Sequence, residues 1–325
     1  MLKLKYPLFD GEKVWEGAAL IIENGIVTAV QECNPAECGE EFLMPGLIDA
    51  HTHMGTTAHV EAMLKNGITA TCDVSASGDL IASSRQLEIV SSAGMAMGVI
   101  MNPKSYVEKA AASGARYIKV LLFNPLSIGK LAVQGIVKAA HAKGLKVAVH
   151  ATEVTTVRQA TDAGADILLH VPMKEVFPED LAKTIAEKNI AVAPTLVMME
   201  AFAHSGRNGY ETTDYQNAEH AVKLLHDCGV SILAATDANP GNFAPGVAYG
   251  DTLHYEMELL TKAGLTPTEV LTAATSKNAE VFDIRAGRIA PGQPATMLLV
   301  DGRPDREIAA ISQIKQVWVK GEAIQ

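Results

Sequence analysis

The chain has 325 residues, of which 48% are hydrophobic and 20% charged, and its formal net charge is −10. This length and composition predict a globular protein with a large buried core, and the dispersed Lys and Arg exclude a nucleic-acid partner, which needs a concentrated basic surface. The sequence shows neither an apolar run long enough to span a bilayer nor an N-terminal signal segment. We therefore expect a cytoplasmic protein with no membrane partner.

The cysteines predict reduced thiols. They are Cys33, Cys38, Cys72 and Cys228, and no two of them have the CxxC spacing of a redox or metal motif. So few cysteines in a chain of this size do not indicate a disulfide framework.

Both ends of the chain are rich in β-forming residues. In residues 18–30 the pair Asn24-Gly25 separates two β-favouring runs, which is a strong signal for a hairpin. Residues 295–300 and 316–319 are β-rich again, with a turn-rich stretch between them. We expect the two ends to fold together as a small β-sandwich-like domain, formed by residues 1–44 and 289–325.

Between these ends, short β-branched runs alternate with longer amphipathic ones, which is typical of βα units around a parallel sheet. Eight units in about 250 residues match the size of a (β/α)8 TIM barrel, which we expect at residues 45–288. Helices are predicted at 130–141 and 217–227, where apolar residues recur three and four apart. The predicted strands are 46–53, 68–74, 96–101, 117–122, 146–150, 167–171, 191–196 and 231–236.

Two long segments and several glycines lie between the predicted elements. Two long segments that follow strands, residues 198–213 and 238–250, would overhang the carboxyl-end face of a barrel, where substrates bind. We expect them to act as lids. Several strands are preceded by a glycine, at the point where a helix would end in a left-handed cap; these are Gly67, Gly94, Gly114, Gly144, Gly164 and Gly229.

Residues able to bind or support a metal lie at or near the ends of five predicted strands. His51 and His53 are two residues apart, so the period of a strand places both imidazoles on one face. Because barrel active sites are assembled at the carboxyl ends of strands, the pattern predicts a metal centre. Its candidate residues are His51, His53, Lys119, His150, His170 and Asp237.

Each of these residues also has a structural interpretation. A single strand-end His is more often hydrogen-bonded than a ligand, a Lys is ordinarily exposed, and an Asp can cap a loop. The metal interpretation is favoured because four histidines and one Asp fall at the same relative position in their βα units. For the other histidines a structural or surface role is favoured, with His204 and His254 kept as candidate substrate contacts; they are His59, His141, His204, His220, His226 and His254.

The same segments carry a family resemblance. The chain resembles the metal motifs of the amidohydrolase superfamily in Gly46-Leu-Ile-Asp-Ala-His-Thr-His53, Val147-Ala-Val-His150, Ile167-Leu-Leu-His170 and Ala235-Thr-Asp237. It resembles the C-terminal region of that family in residues 256–267, Ala273-Ala-Thr275 and Gly287-Arg-Ile-Ala-Pro-Gly292. The segment Tyr117-Ile-Lys-Val120 is similar to the strand that carries a carboxylated lysine in the prolidase-like and imidazolonepropionase-related branch.

This resemblance implies a divalent metal centre with a carbamate on Lys119. A Lys ammonium has no acceptor and cannot bind a cation, whereas a neutral amine that adds carbon dioxide gains two anionic oxygens. Zinc fits the ligands best, with manganese, iron or cobalt as alternatives. An unmodified Lys119 leaves a single ion held by His51, His53, Asp237 and either His150 or His170. The binuclear hypothesis places two zinc ions, one on His51, His53 and Asp237 and one on His150 and His170, with the carbamate and a hydroxide between them.

The expected reaction is hydrolysis of a C–N bond in a small-molecule amide, dipeptide or cyclic amide. A metal ion activates water and polarises a carbonyl, and Asp237 would carry the proton from the hydroxide to the leaving nitrogen. A lactonase, a carbamate hydrolase, an isomerase or a deaminase on the same site are alternatives. A non-catalytic binding protein is disfavoured because the full ligand set is present. A homo-oligomeric state is left open.

Substrate contacts are expected from the loops above the strands. Asn239, His204 and Arg207 could meet polar ends of a substrate. Met198 and Met199 could equally be core residues beneath the loop. The candidates for an apolar pocket wall are Phe123, Met198, Met199, Phe202, Phe243 and Tyr249.

Overall fold

The computed structural model describes residues 1–123, 128–206, 214–242 and 244–324. Its strands form one sheet from the two ends of the chain and two parallel sheets from the middle. The terminal sheet contains β1 (Leu2–Phe9), β2 (Val14–Glu23), β3 (Ile26–Glu32), β4 (Phe42–Pro45), β13 (Met297–Val300), β14 (Ile314–Val319) and β15 (Glu322–Ala323). The parallel sheets contain β5 (Leu47–Thr52), β6 (Ile68–Asp73), β7 (Glu88–Ser91), β8 (Met95–Ala96), β9 (Tyr117–Leu122), β10 (Lys146–Ala151), β11 (Ile167–Leu169) and β12 (Ala191–Ala193).

The predicted N-terminal hairpin is confirmed. Strands β2 and β3 pair antiparallel, with Glu23 opposite Ile26 across the turn. The two turn residues, Asn24 and Gly25, have φ values of 51° and 76°. Such a turn needs two left-handed residues, and Asn-Gly adopts this conformation at low cost.

The two ends of the chain meet in the terminal sheet, whose strand order is β15-β14-β13-β4-β1-β2-β3. The junction is the antiparallel pair β4 and β13, in which Leu43 lies opposite Leu299. Leu8, Leu20 and Met297 belong to a separate hydrophobic cluster of this sheet. The division into domains at residues 44 and 289, and the sandwich-like packing, stay predictions.

The central strands are parallel and buried on both faces, as expected of a sheet covered by helices. Their order is β5-β6-β7 in one sheet and β12-β11-β10-β9-β8 in the other. Residues 231–238 run between the outer strands of the two sheets. There Leu233 N donates to Val192 O at 2.8 Å, and Ala50 N donates to Ala234 O at 3.1 Å. Backbone hydrogen bonds therefore connect β12 to β5 through this segment.

Two of the predicted strands require correction. Residues 97–101 do not continue a strand beyond Ala96; the chain forms β7 and β8 instead. Gly98 has a φ of 67°, which breaks the extended backbone, and Met101 is 89% exposed, so the alternating apolar pattern there does not face a core. Residues 231–236 form only an isolated parallel bridge, Val192 to Ile232, rather than a strand.

The helices that follow the parallel strands cover the sheets. The predicted helices at 130–141 and 217–227 are confirmed as α4 and α8. None of the helices within the described ranges is both long and apolar enough to cross a membrane. The helices are α1 (Thr57–Lys65), α2 (Gly78–Ser83), α3 (Pro103–Ala112), α4 (Lys130–His141), α5 (Val154–Ala163), α6 (Glu179–Glu187), α7 (Leu196–His204), α8 (Tyr215–Asp227), α9 (Asp251–Lys262), α10 (Pro267–Ala273) and α11 (Ser276–Phe282).

The glycine caps predicted before the strands have the expected backbone. Gly164 ends α5 with a φ of 83°, and its N–H donates to the carbonyls of Ala160 and Thr161. Gly67, Gly114, Gly144 and Gly229 follow other helices and also have positive φ; Gly94 has positive φ too, but it follows β7 and caps no helix.

Residues 198–206 do not form the overhanging loop that the sequence predicts for 198–213. Its first part belongs to α7, in which Met198 and Met199 are buried with 0% and 2% exposure. Residues 207–213 lie outside the described part of the chain. The prediction is wrong for these residues because α7 is apolar on almost every side. A short buried strand followed by a loop can have the same run of apolar residues, so the sequence alone does not distinguish the two.

Candidate metal centre

His51 lies in β5, is 1% exposed, and has two other predicted residues close to its ring. Its Nε2 is 3.2 Å from Nζ of Lys119 in β9 and 3.3 Å from Oδ1 of Asp237. Strands β5 and β9 bring His51 and Lys119 together because the parallel strands have their carboxyl ends on one side. Asp237 reaches the same side within the segment 231–238, which is hydrogen-bonded to β12 and β5.

His53 joins the same group from the end of β5. Its Nε2 is 3.1 Å from Oδ1 of Asp237, and its Nδ1 is 3.0 Å from Oγ of Ser75. The ring centroids of His51 and His53 are 5.1 Å apart, so the two imidazoles are neighbours, as the sequence predicts.

The other two histidines complete the cluster from β10 and the end of β11. The ring centroids of His150 and His170 are 4.4 Å apart, and those of His170 and His51 are 5.6 Å apart. His170 is 2% exposed. All six residues predicted as metal ligands therefore lie in one group, in which His53 and His150 are half-buried and the other four are buried.

Burial lowers the pKa of four side chains in this group. Desolvation holds the pKa of His51 and of His170 well below the usual range and lowers the pKa of His150 to about 3. At neutral pH these imidazoles are uncharged, so each offers a lone pair to a cation. Desolvation also lowers the pKa of Lys119 to about 7, although the nearby Asp237 carboxylate opposes this shift.

The donor set fits a divalent ion. The ligand atoms of His51, His170 and Asp237 all lie within 4.8 Å of one another. Nε2 of His170 is buried, and in the described ranges it has no hydrogen-bond partner. A buried polar atom without a partner is costly, and imidazole and carboxylate ligands at this spacing are what zinc and similar metals bind.

The backbone at the site is unusual. His170, Thr195 and Asp237 have φ values of 72°, 51° and 57°, in the left-handed region that residues other than glycine seldom adopt. Such strain is concentrated at functional sites, where surrounding contacts hold it in place.

The comparisons with known proteins agree with this geometry. The sequence model of the amidohydrolase family matches residues 42–324, most of the chain. The chain belongs to the amidohydrolase family.

Within the family, this amidohydrolase resembles the branch that the sequence predicts. It is 27% identical over 201 residues to the imidazolonepropionase of Desulfotalea psychrophila, covering 58% of this chain and 43% of that protein. It is 25% identical over 224 residues to the imidazolonepropionase of Pseudoalteromonas atlantica, covering 68% of this chain and 50% of that protein. The chain thus spans half or less of the length of these curated relatives.

Solved structures share the fold of this amidohydrolase. A Xaa-Pro dipeptidase with bound methionine superposes with a TM-score of 0.84 at 20% identity, covering 99% of each chain. The ochratoxinase of A. niger superposes with a TM-score of 0.82 at 19% identity, covering 99% of this chain and 95% of that one. At these identities the likeness establishes the fold alone.

A buried carboxyl group that the sequence analysis missed lies beside the predicted ligands of this amidohydrolase. Asp49 is 1% exposed, and it accepts hydrogen bonds from Thr236 Oγ1 at 2.6 Å, from Thr236 N at 3.1 Å and from His51 N at 3.1 Å. It thereby joins the residue before Asp237 to the backbone of His51. The signal was present, because Asp49 is two residues before His51 and so faces the same side of β5.

Asn239, a predicted polar contact, and Tyr249, a predicted part of the apolar pocket wall, use their polar groups within the protein. Asn239 donates to the carbonyls of Asp237 and Pro245 and accepts from Gly241 N. The Tyr249 hydroxyl donates to the His53 carbonyl at 2.5 Å. Tyr249 therefore connects to the end of β5 at the cluster, whereas Asn239 bonds to nearby residues of its own segment.

The remaining predicted contacts divide by burial. Phe123 is 45% exposed at the end of β9, whereas Met198 is fully buried in the main hydrophobic core, which supports the packing interpretation of that residue. His204 is exposed, and its Nδ1 lies 3.0 Å from the Glu200 carbonyl oxygen. Arg207 and Phe243 lie outside the described residues.

His254, kept as a candidate substrate contact, has a structural environment. It is 5% exposed in α9, and its Nε2 lies 2.9 Å from the Asn66 carbonyl oxygen after α1. His254 therefore connects α9 to the end of α1.

Proposed function

We propose that this amidohydrolase hydrolyses a C–N bond in an amide, dipeptide or cyclic amide with the help of a divalent metal. The observation that carries the proposal is the convergence of four imidazoles, a buried lysine and the Asp237 carboxylate at the carboxyl ends of parallel strands. Family membership supports it, as does the fold shared with a Xaa-Pro dipeptidase.

The scaffold we propose is a (β/α)8 barrel with the terminal sheet beside it. The hydrogen bonds of residues 231–238 to Val192 and Ala50 support this, because they connect the outer strands β12 and β5. The direct succession of β7 and β8 in the chain connects the two sheets on the other side.

The proposed centre holds two ions, with zinc as the best fit to nitrogen and carboxylate ligands. A carbamate on Lys119 would lie between them; the burial of this side chain favours the neutral amine that carbon dioxide requires. One ion would use His51, His53 and Asp237, and the other would use His150 and His170.

In the proposed reaction the protein residues position the substrate carbonyl and move one proton. A bound divalent ion lowers the pKa of water and polarises a carbonyl. Asp237 accepts the proton that the attacking water loses and donates it to the leaving nitrogen, so that the amine departs neutral. The N–H of Asp237 donates to the His51 carbonyl at 2.9 Å, which orients the carboxylate toward the cluster.

The test is hydrolysis by the purified chain after incubation with zinc or manganese. The panel contains Xaa-Pro dipeptides, N-acyl amino acids, cyclic amides, lactones, carbamates and aminopurines. We expect turnover of at least one amide class. Turnover of the lactone or carbamate alone would assign the alternative hydrolase, release of ammonia from an aminopurine would assign a deaminase, and no turnover of any compound would contradict the proposal.

Metal analysis separates the binuclear from the mononuclear centre. We expect two ions per chain, and a carbamate carbon resonance when the protein is prepared with 13C-bicarbonate. Lys119→Met should remove that resonance and lower the metal content, whereas Lys143→Met, which changes an exposed lysine between α4 and β10, should leave both unchanged. One ion per chain without a carbamate resonance would establish the mononuclear centre. The cytoplasmic location and the oligomeric state stay predictions.

A further inference from the structure

The turn between β12 and α7 contains a threonine in a costly conformation. Thr195 has φ and ψ of 51° each and is fully buried. A β-branched residue in the left-handed region is strained, because its branched Cβ crowds the backbone. Contacts made by this residue must offset that cost.

The hydroxyl of Thr195 does not serve the helix that begins after it. Threonine at this position usually accepts a hydrogen bond from the first turn, but here the side chain makes no such bond. Oγ1 instead lies 2.8 Å from the Pro194 carbonyl oxygen and 2.7 Å from Nδ1 of His170.

These two contacts specify the tautomer of His170. A hydroxyl has one hydrogen, and Oγ1 donates it to the Pro194 carbonyl, which cannot donate in return. The contact with His170 then requires Nδ1–H to donate to Oγ1. The lone pair of this imidazole is left on Nε2, the buried atom that has no partner within the described ranges.

A buried carboxylate takes over the helix cap that Thr195 does not provide. Glu256 in α9 is 0% exposed, and its two oxygens accept from Leu196 N at 3.0 Å and from Val197 N at 2.7 Å. Because these are the two residues directly after Thr195, the carboxylate fixes the backbone that carries the hydroxyl.

We infer that Thr195 is a positioning residue that holds His170 in its Nδ1–H tautomer, with Nε2 free for a metal ion, and that Glu256 clamps the turn that presents the hydroxyl. The inference rests on the proposed function, since it gives the free Nε2 an ion to bind. Hydrogen bonds to the second nitrogen of a metal-binding His fix its orientation and raise its basicity.

The first experiment reads the tautomer directly in the metal-free protein. Nitrogen NMR of 15N-His-labelled chain distinguishes the two ring nitrogens of His170. We expect Nδ1 to be protonated in the wild type and in Thr195→Ser, and a mixture of tautomers in Thr195→Val. A wild-type His170 protonated on Nε2 would overturn the inference, even if Thr195→Val fails to fold.

The second experiment measures zinc affinity by competition with a chelator. Thr195→Val should bind zinc roughly 10 to 100 times more weakly, the loss typical of a removed partner of a metal ligand, and Thr195→Ser should restore the affinity. Thr161→Val is the matched control, because Thr161 is also buried and its hydroxyl has no partner among the described atoms. Unchanged affinity in a folded Thr195→Val would overturn the inference. Absence of zinc binding by the wild type would contradict the proposed function, and the tautomer would still decide the role of Thr195.

Discussion

The strand ends and the loop above them use polar side chains differently. In the cluster, His170 leaves Nε2 without a hydrogen bond in the part of the chain that the structure describes, while its other nitrogen is bound to Thr195. In the loop 238–250, Asn239 uses both its amide nitrogen and its oxygen in hydrogen bonds within the loop. The cluster is thus arranged to receive a ligand, whereas the loop is arranged to hold its own shape.

The largest effect should come from Asp237, the proposed proton carrier of the cluster. Asp237→Asn keeps the size of the side chain but loses its basicity, so we expect kcat to fall by roughly 10³-fold with folding retained. Steady-state kinetics and thermal unfolding measure the two outcomes. A near-normal kcat in Asp237→Asn would show that Asp237 does not transfer the proton. The difference between the cluster and the loop would then be smaller than we propose.

Met198 and Phe123 test whether predicted substrate contacts pack in the core or face a substrate. Both are predicted contacts, but only Met198 is buried. Met198→Ala should lower the free energy of unfolding by about 3 kcal/mol, as for a large core residue, with an unchanged substrate profile. Phe123→Ala should change KM and leave stability nearly unchanged. Denaturant unfolding and kinetics on one substrate panel measure both. A changed substrate profile in Met198→Ala would show that Met198 contacts the substrate.

Over a single pH unit, the smallest effect is the change in stability that Glu256 confers. Burial raises the pKa of Glu256 from its ordinary value of 4.5 to about 8. Between these values the folded chain holds a proton that the unfolded chain releases, so this contribution to the free energy of unfolding is lost as pH rises. Wild-type stability should fall relative to Glu256→Gln by up to about 1.4 kcal/mol per pH unit in that window. Parallel slopes for the two proteins would show that Glu256 is ionised in the folded state.

The sequence predicts which residues lie together in the cluster better than it predicts the loops, for a physical reason. His51 and His53 are specified by the two-residue period of a strand, and Lys119, His150 and His170 by their places in repeated βα units. These relations are local and survive folding. The burial of Met198 depends on packing between α7 and elements distant in sequence, which no local pattern contains.

The residues that hydrogen-bond to the predicted ligands could be predicted from the sequence only in part. Asp49 shares the strand period of His51 and could have been found. Thr195 could not, because its importance comes from a left-handed turn and from Glu256 in another helix. The irregular segment 231–238 was predicted at the right place but as a strand, since β-branched composition does not show how many ladder hydrogen bonds will form.

The terminal sheet has a consequence for the order of folding. Strand β4 pairs with β1 at a single parallel position, Leu8 with Leu43, and has its extensive antiparallel pairing with β13. During synthesis on the ribosome, β13 emerges only after the whole α/β region has been made. Until then the β4 edge stays unpaired and is a site for association with other chains. Newly made chains should therefore depend on chaperones most strongly just before the last strands appear.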